Sequence, residues 1–275
     1  MASAPSPEKS LPALPRDERA KVLEVFDLGA DDFILSLESP YIARNARPGQ
    51  FAMLRAGDGV SPLVRRPISF WNAQEEDGRV EFLISAIGPA TRLFQRAKPG
   101  QTLDVLGPLG RGFDLDFPES VRRVVIVGGS SGVAPFYFAA RVIKESSALS
   151  VHLFYGCSTR SHIHLEEFAR LGLDLHPVTE DGTLGERGLV TEPFEKFVDR
   201  YGEECAVLSC GSTPMMQAVD DLCRKRRIPV QYMLGDYMGC GIGVCLSCVM
   251  KAPDGRYILA CRDGAVLRGG EFLWE

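Results

Sequence analysis

The chain has 275 residues, of which 24% are charged and 45% hydrophobic, and a formal net charge of −5 at neutral pH. That length fits two domains and an appendage, the composition is that of a globular protein, and the acidic balance argues against a nucleic-acid or polyanion partner. No apolar run approaches the roughly 20 residues that cross a bilayer, so no membrane association is expected.

Residues 1–19 are rich in Pro, Ser and Ala and read as a disordered N-terminal extension. They lack the basic and apolar regions of a signal peptide, and eight cysteines without one point to a reducing cytoplasm.

Residues 20–118 are β-rich. Apolar runs at 22–28, 33–38, 51–55, 67–71, 80–85 and 102–106 are punctuated by Pro48-Gly49, Asp58-Gly59, Asp77-Gly78 and Pro99-Gly100. The pattern predicts a small antiparallel barrel, interrupted by one helix over 90–97. Within it, Arg65-Arg66-Pro67-Ile68-Ser69 offers a guanidinium fork for phosphate oxygens and a hydroxyl two residues past the proline for a ring nitrogen. A solvated arginine pair beside an ordinary strand serine is the competing reading.

Residues 119–233 change style. Val124-Val125-Ile126-Val127 is a continuous apolar run, as in a buried parallel strand. Further strands are expected at 151–155, 173–178, 205–209 and 230–233, and helices at 135–144, 164–171, 191–201 and 214–226. This alternation predicts a doubly wound parallel sheet. At the end of its first strand lies Gly128-Gly129-Ser130-Ser131-Gly132-Val133-Ala134-Pro135. It departs from G-x-G-x-x-G, yet glycines there let a pyrophosphate approach backbone N–H groups. After a later strand, Cys210-Gly211-Ser212-Thr213-Pro214 opens a helix, with Thr213 as N-cap and Pro214 at N1. Cys210 then looks into the same crevice, whereas Cys157, Cys205 and Cys223 read as small buried hydrophobes.

Residues 234–275 carry Cys240-x4-Cys245-x2-Cys248-x12-Cys261. This is the plant-type spacing for a [2Fe–2S] cluster. Gly239, Gly241 and Gly243 let the loop curl with positive φ, and the fourth ligand arrives from a strand over 256–260. Zinc is the alternative, but only Cys245 and Cys248 form a zinc-type knuckle. On that alternative the chain is a nucleotide-sensing module without turnover.

Together these segments resemble the ferredoxin–NADP reductase superfamily and, within it, the electron-transfer subunits of class 1B dihydroorotate dehydrogenases. The resemblance runs from about residue 20 to 270. It rests on Arg65–Ser69, on Gly107-Pro108-Leu109-Gly110-Arg111-Gly112-Phe113, on Gly128–Pro135 and on the cysteine loop. It implies an α/β plus all-β architecture: an FAD-binding barrel (20–118), an NAD-binding domain (119–233) and a [2Fe–2S] domain (234–275). Arg66, Pro67, Ile68 and Ser69 are then expected to hold FAD, with Arg66 on the pyrophosphate and Ser69 near the reactive flavin nitrogen. Leu83, Ile84 and Ser85 line the ribityl side. Ala90 and Thr91 face the flavin pyrophosphate from a helix N-terminus. Gly128, Gly129, Ser131, Gly132 and Ala134 take the NAD pyrophosphate, and Cys210 and Gly211 approach the nicotinamide.

The implied partner is an FMN-containing dihydroorotate dehydrogenase catalytic subunit, two of each forming a heterotetramer in the cytoplasm, in pyrimidine biosynthesis. The contact surface is expected near Asp236–Met238. Gly88-Pro89-Ala90-Thr91 departs from the family's Gly-Lys-Gly-Thr, and Ile68 stands where many of the wider superfamily have Tyr. Ser158-Thr159-Arg160 supplies one arginine where NADP enzymes bind the 2′-phosphate; NAD is expected. An NADH-dependent ferredoxin reductase or a sulfhydrogenase diaphorase subunit is the alternative within the superfamily.

Overall fold

The computed structural model describes residues 13–56, 61–235 and 237–274. The turn pairs of the N-terminal part separate seven strands: β1 (Arg16–Gly29), β2 (Asp32–Glu38), β3 (Phe51–Ala56), β4 (Arg66–Ser69), β5 (Asn72–Gln74), β6 (Arg79–Ser85) and β7 (Thr102–Leu109). Helix α1 (Pro40–Asn45) follows β2 and α2 (Pro89–Gln95) follows β6. The strands pair antiparallel in the order β4-β3-β7-β1-β2-β6-β5. Phe33, Leu35, Phe70, Phe82 and Val105 are completely buried inside this barrel. Each contributes about 1.5–3 kcal/mol by leaving water.

Arg16–Arg19, expected within a disordered extension over 1–19, lie in β1. Arg16–Lys21 pair with Gly107–Thr102 of β7, which satisfies their backbone groups, and the Arg16 guanidinium sits 3.8 Å over the Tyr41 ring. Residues 1–12 and the Asp58-Gly59 turn lie outside the described residues.

The second layer alternates β8 (Arg123–Gly129), α3 (Phe136–Ser146), β9 (Ser150–Cys157), α4 (Glu166–Arg170), β10 (Asp174–Thr179), β11 (Glu186–Arg187), α5 (Thr191–Tyr201), β12 (Cys205–Cys210), α6 (Thr213–Arg226) and β13 (Val230–Met233). The C-terminal part adds β14 (Val249–Lys251), β15 (Tyr257–Leu259), α7 (Ala260–Asp263) and β16 (Val266–Arg268). The large sheet runs β11-β10-β9-β8-β12-β13-β16, parallel except for β16. From β8 the chain winds one way to β9 and β10, then returns to the other side for β12 and β13. The topological switch therefore lies between β8 and β12, where such sheets bind ligands.

A division at 233/234 is crossed by β16, which extends the nucleotide domain's sheet by pairing with β13. Phe272 and Trp274 close over Tyr232 beyond it, edge-on at 6.0 and 5.1 Å. One hydrophobic cluster joins all three parts, running from Phe51 and Trp71 through Phe113, Ile126 and Phe136 to Cys248 and Cys261. Trp71 of the barrel stacks on Tyr137 of α3 at 4.7 Å, and Arg141 donates to Asn72 Oδ1 and the Ala73 carbonyl. Gly110 (φ +75°) allows the barrel to approach the C-terminal part closely: a Cβ there would lie 2.8 Å from the Gly264 carbonyl oxygen.

Candidate functional site

A cleft of about 470 Å³ opens where the barrel, the nucleotide domain and the cysteine region meet. From the barrel it is lined by Phe51, Pro67, Ile68 and Ser69, by Leu83, Ile84 and Ser85 at the end of β6, and by Thr91 of α2. The turns after β8 and β12 contribute Gly129 to Gly132, Ala134, Cys210, Gly211 and Ser212. Met233, Met238 and Ala265 close it from the C-terminal side. A second cleft of about 430 Å³ shares Gly129, Ser130 and Ser212 with the first and extends over the ends of β9 and β10.

The glycines serve close approach between the two turns. A Cβ on Gly132 would lie 2.7 Å from the Cys210 carbonyl oxygen, and one on Gly211 would lie 2.6 Å from Met215 Cε. Gly128 lies outside the lining; a Cβ there would press on Val133 at 3.3 Å. Ser130 holds φ +50°, a left-handed conformation that costs a non-glycine residue strain.

Other expected site residues are placed differently. Arg66 turns back to donate to the Val64 carbonyl at 2.6 Å and does not line the cleft. Arg65 makes a bidentate pair with Asp17 at 2.9 and 2.8 Å. Ala90 is buried behind the lining. Thr91 Oγ1 accepts from the Gly88 N–H at 3.0 Å and so closes the start of α2. Pro89, at the first turn of α2, supplies neither the cation nor the N–H that a lysine would. Ser212, not Thr213, caps α6, because Thr213 is already helical.

Cys210 sits half-buried at the cleft, and desolvation pushes its thiol up to about 12. It is therefore a neutral, polarisable wall at physiological pH. Cys157, lining the second cleft, is likewise pushed up to about 12 by burial.

The cysteine loop is built to hold thiolates. Backbone N–H groups of Ile242, Val244 and Cys245 point at Cys240 Sγ from 3.5, 3.3 and 3.4 Å. Gly241 and Gly243 adopt φ of +76° and +81°, which turns the amides inward. Ser247 lies 3.2 Å from Cys245 Sγ, and this contact leads the causes that lower the Cys245 thiol to about 6. Cys248 and Cys261 are buried, and burial pushes Cys261 up to about 12. Cys261 lies on α7, one step past the strand expected to present it. These donors and the soft ligand set fit an iron–sulfur cluster. The loop also touches the barrel directly: a Cβ on Gly241 would lie 2.5 Å from Met53 Cγ and 3.0 Å from Leu109 Cδ1.

Sequence reasoning missed the buried carboxylate behind Ser85. Asp32 of β2 accepts from Ser85 Oγ and meets His164 Nε2 at 2.9 Å and His162 Nδ1 at 3.3 Å. Burial alone would raise its pKa, but the hydrogen bonds from His164, Ser85 and His162 hold it below the usual carboxylate range. Glu180 was also missed, because it carries no local motif, and Met238, expected at a contact surface, lines the cleft instead.

A flavin-sized cleft shared by an antiparallel barrel and a doubly wound domain, with a thiolate loop against its wall, defines a flavin- and nicotinamide-dependent reductase with an iron–sulfur cluster. The matching domain families agree: an oxidoreductase FAD-binding domain over 20–113, an oxidoreductase NAD-binding domain over 126–221, and the iron–sulfur cluster binding domain of dihydroorotate dehydrogenase B over 236–273. Two curated relatives are the "dihydroorotate dehydrogenase B (NAD(+)), electron transfer subunit" of Desulforamulus reducens, 32% identical, and that of Geobacillus thermodenitrificans, 34% identical. Each alignment covers 93% of this chain and 98% of the relative. The chain belongs to the family of dihydroorotate dehydrogenase B electron transfer subunits. Among solved structures, an NADH-dependent reduced ferredoxin–NADP oxidoreductase studied for flavin-based electron bifurcation superposes with a TM-score of 0.82 at 27% identity. That match covers 94% of this chain and 90% of the other. Among the described residues no helix is long and apolar enough to cross a membrane.

Proposed function

We propose that this chain receives electrons from an FMN-containing dihydroorotate dehydrogenase catalytic subunit and passes them to NAD+. The sum is dihydroorotate + NAD+ → orotate + NADH + H+, a step of pyrimidine biosynthesis in the cytoplasm, carried out by two copies of each subunit. When bound, FAD exchanges single electrons for a hydride and the [2Fe–2S] cluster carries electrons one at a time.

The observation that carries this reading is the convergence of all three regions on one cleft. Met238 and Ala265, flanking the cysteine loop, line the same cavity as Ser69 of the barrel and Cys210 of the nucleotide domain. Pro67, Ile68 and Ser69 with Leu83 to Ser85 would hold the flavin. The Ser85 hydroxyl, committed to Asp32 as donor, keeps its lone pairs for a ligand donor. Gly129 to Gly132 would cradle the dinucleotide pyrophosphate, and Cys210 with Gly211 would bound the nicotinamide. Cys240, Cys245, Cys248 and Cys261 would ligate the cluster.

The partner surface is read on the cysteine loop rather than on 236–238 as a unit. Met238 is buried in the cleft wall, Asp236 lies outside the described residues, and Tyr237 is 89% exposed. Val244 is 74% exposed, and Ile242 and Leu246 are exposed beside it. Apolar side chains around an exposed Cys245 suit a protein that docks close to the cluster.

The test mixes the anaerobically purified protein with the catalytic subunit and follows NADH formation from dihydroorotate and NAD+. Turnover requiring both proteins supports the proposal. Absence of turnover with FAD and cluster present favours a ferredoxin partner, the reading to which the likeness to the bifurcating oxidoreductase points. Reduction of ferredoxin by NADH would then be measured directly.

A further inference from the structure

The two clefts differ in charge, and the difference bears on which dinucleotide fits. Glu180 is the one Asp, Glu, Lys or Arg among the described residues lining the second cleft. It follows β10, and its backbone N–H donates to the carbonyl of Cys157, the last residue of β9, at 3.1 Å. Glu180 thus stands beside the end of the second strand of the doubly wound sheet. There a carboxylate accepts from a ribose 2′-hydroxyl, and a 2′-phosphate needs a cation instead. Arg160, the basic residue that follows β9 in the chain, lines a separate groove between barrel and nucleotide domain. Arg187 lays its methylenes over Gly182.

We infer that Glu180 selects NAD over NADP, accepting the adenosine ribose 2′-hydroxyl and repelling a 2′-phosphate. The inference rests on the reading that the second cleft takes the adenosine half of the nicotinamide dinucleotide. Ser158, which lines the same cleft, offers a hydroxyl to the ribose beside the Glu180 carboxylate. The carboxylate is exposed at the cleft mouth, so its replacement leaves the core intact.

The test uses the FAD- and cluster-loaded protein and its Glu180→Gln, Glu180→Arg and Arg160→Ala variants. Calorimetry with ADP-ribose and 2′-phospho-ADP-ribose is read beside kcat/KM for NADH- and NADPH-driven ferricyanide reduction. Glu180→Gln is expected to weaken ADP-ribose about tenfold, the loss of one charged hydrogen bond. Glu180→Arg is expected to raise the preference for the 2′-phosphorylated ligand by about a hundredfold or more in both readouts. Arg160→Ala is expected to alter neither preference. Unchanged preference in both Glu180 variants, with ADP-ribose still bound, overturns the role of Glu180 alone. Failure of ADP-ribose to bind the parent protein at all overturns the assignment of the cleft and this inference with it.

Discussion

Asp32 Oδ2 lies 2.9 Å from His164 Nε2 across the seam between the barrel and the nucleotide domain. Asp32 is only 6% exposed, and its other oxygen accepts from Ser85 at the flavin-side cleft. The chain linking the clefts continues: the Tyr155 hydroxyl donates to the His162 carbonyl at 2.9 Å, with Cys157 Sγ 3.3 Å from the same oxygen. One buried carboxylate therefore holds a cleft wall and fixes the nucleotide domain against the barrel.

Asp32→Ala is expected to lower the unfolding free energy by about 2 kcal/mol, because it leaves His164 and Ser85 without their charged acceptor. Denaturant unfolding at neutral pH measures this; a change below about 0.5 kcal/mol would show the seam does not depend on the pair. The sign with pH follows from the lowered pKa of Asp32. Its stabilisation is fully present above the ordinary carboxylate pKa and is lost as pH falls through the lowered one, so the variant loses less on acidification than the parent.

Cys245→Ala removes the exposed one of the four cysteines proposed to ligate the cluster. Iron and acid-labile sulfide are expected to fall away, while FAD and NADH-driven dye reduction persist. Coupled NAD+ reduction with the catalytic subunit should drop at least about a hundredfold. Retention of coupled turnover in a cluster-free variant would remove the cluster from the electron path.

Cys210→Ala addresses the thiol facing the cleft. FAD content and the Kd for NAD are expected to hold, while flavin reduction by NADH in stopped flow slows about tenfold through looser placement of the nicotinamide. An unaltered rate would make Cys210 a packing residue only.

His152 and His176 form a half-buried, stacked imidazole pair on β9 and β10, with Phe154 stacked on His176 and Phe197 tilted against both. Desolvation lowers both pKa values, more than Asp174 raises them. The unfolded chain then binds more protons than the folded one below the ordinary imidazole pKa, about 6.5, so stability falls as pH drops through and below that value. Thermal unfolding between pH 7.5 and 5.5 should show the decline, and His152→Phe with His176→Phe should flatten it. An equal decline in the double variant would assign the slope to carboxylates elsewhere.

Much of this architecture was legible along the chain because the signals are local. The proposed cluster ligands follow from spacing, since Cys240, Cys245 and Cys248 come from one short loop whatever surrounds it. Strand β8 follows from a continuous apolar run and β9, β10, β12 and β13 from shorter strand-like runs, and their crevice from the glycines after β8. What sequence could not supply depends on distances between segments remote in the chain. Asp32 and His164 are 132 residues apart and meet only because the barrel docks on α3 and the loop after β9. Arg160 and Glu180 are both charged loop residues near strand ends, yet packing sends one into a separate groove and the other into the nucleotide cleft. The sequence by itself pointed to the iron–sulfur cluster, because ligand type and spacing are properties of a segment, whereas flavin and nicotinamide were implied by the family resemblance. Only the tertiary structure decided how the sites share one cleft and which charges face it, because burial and side-chain direction are set by long-range packing.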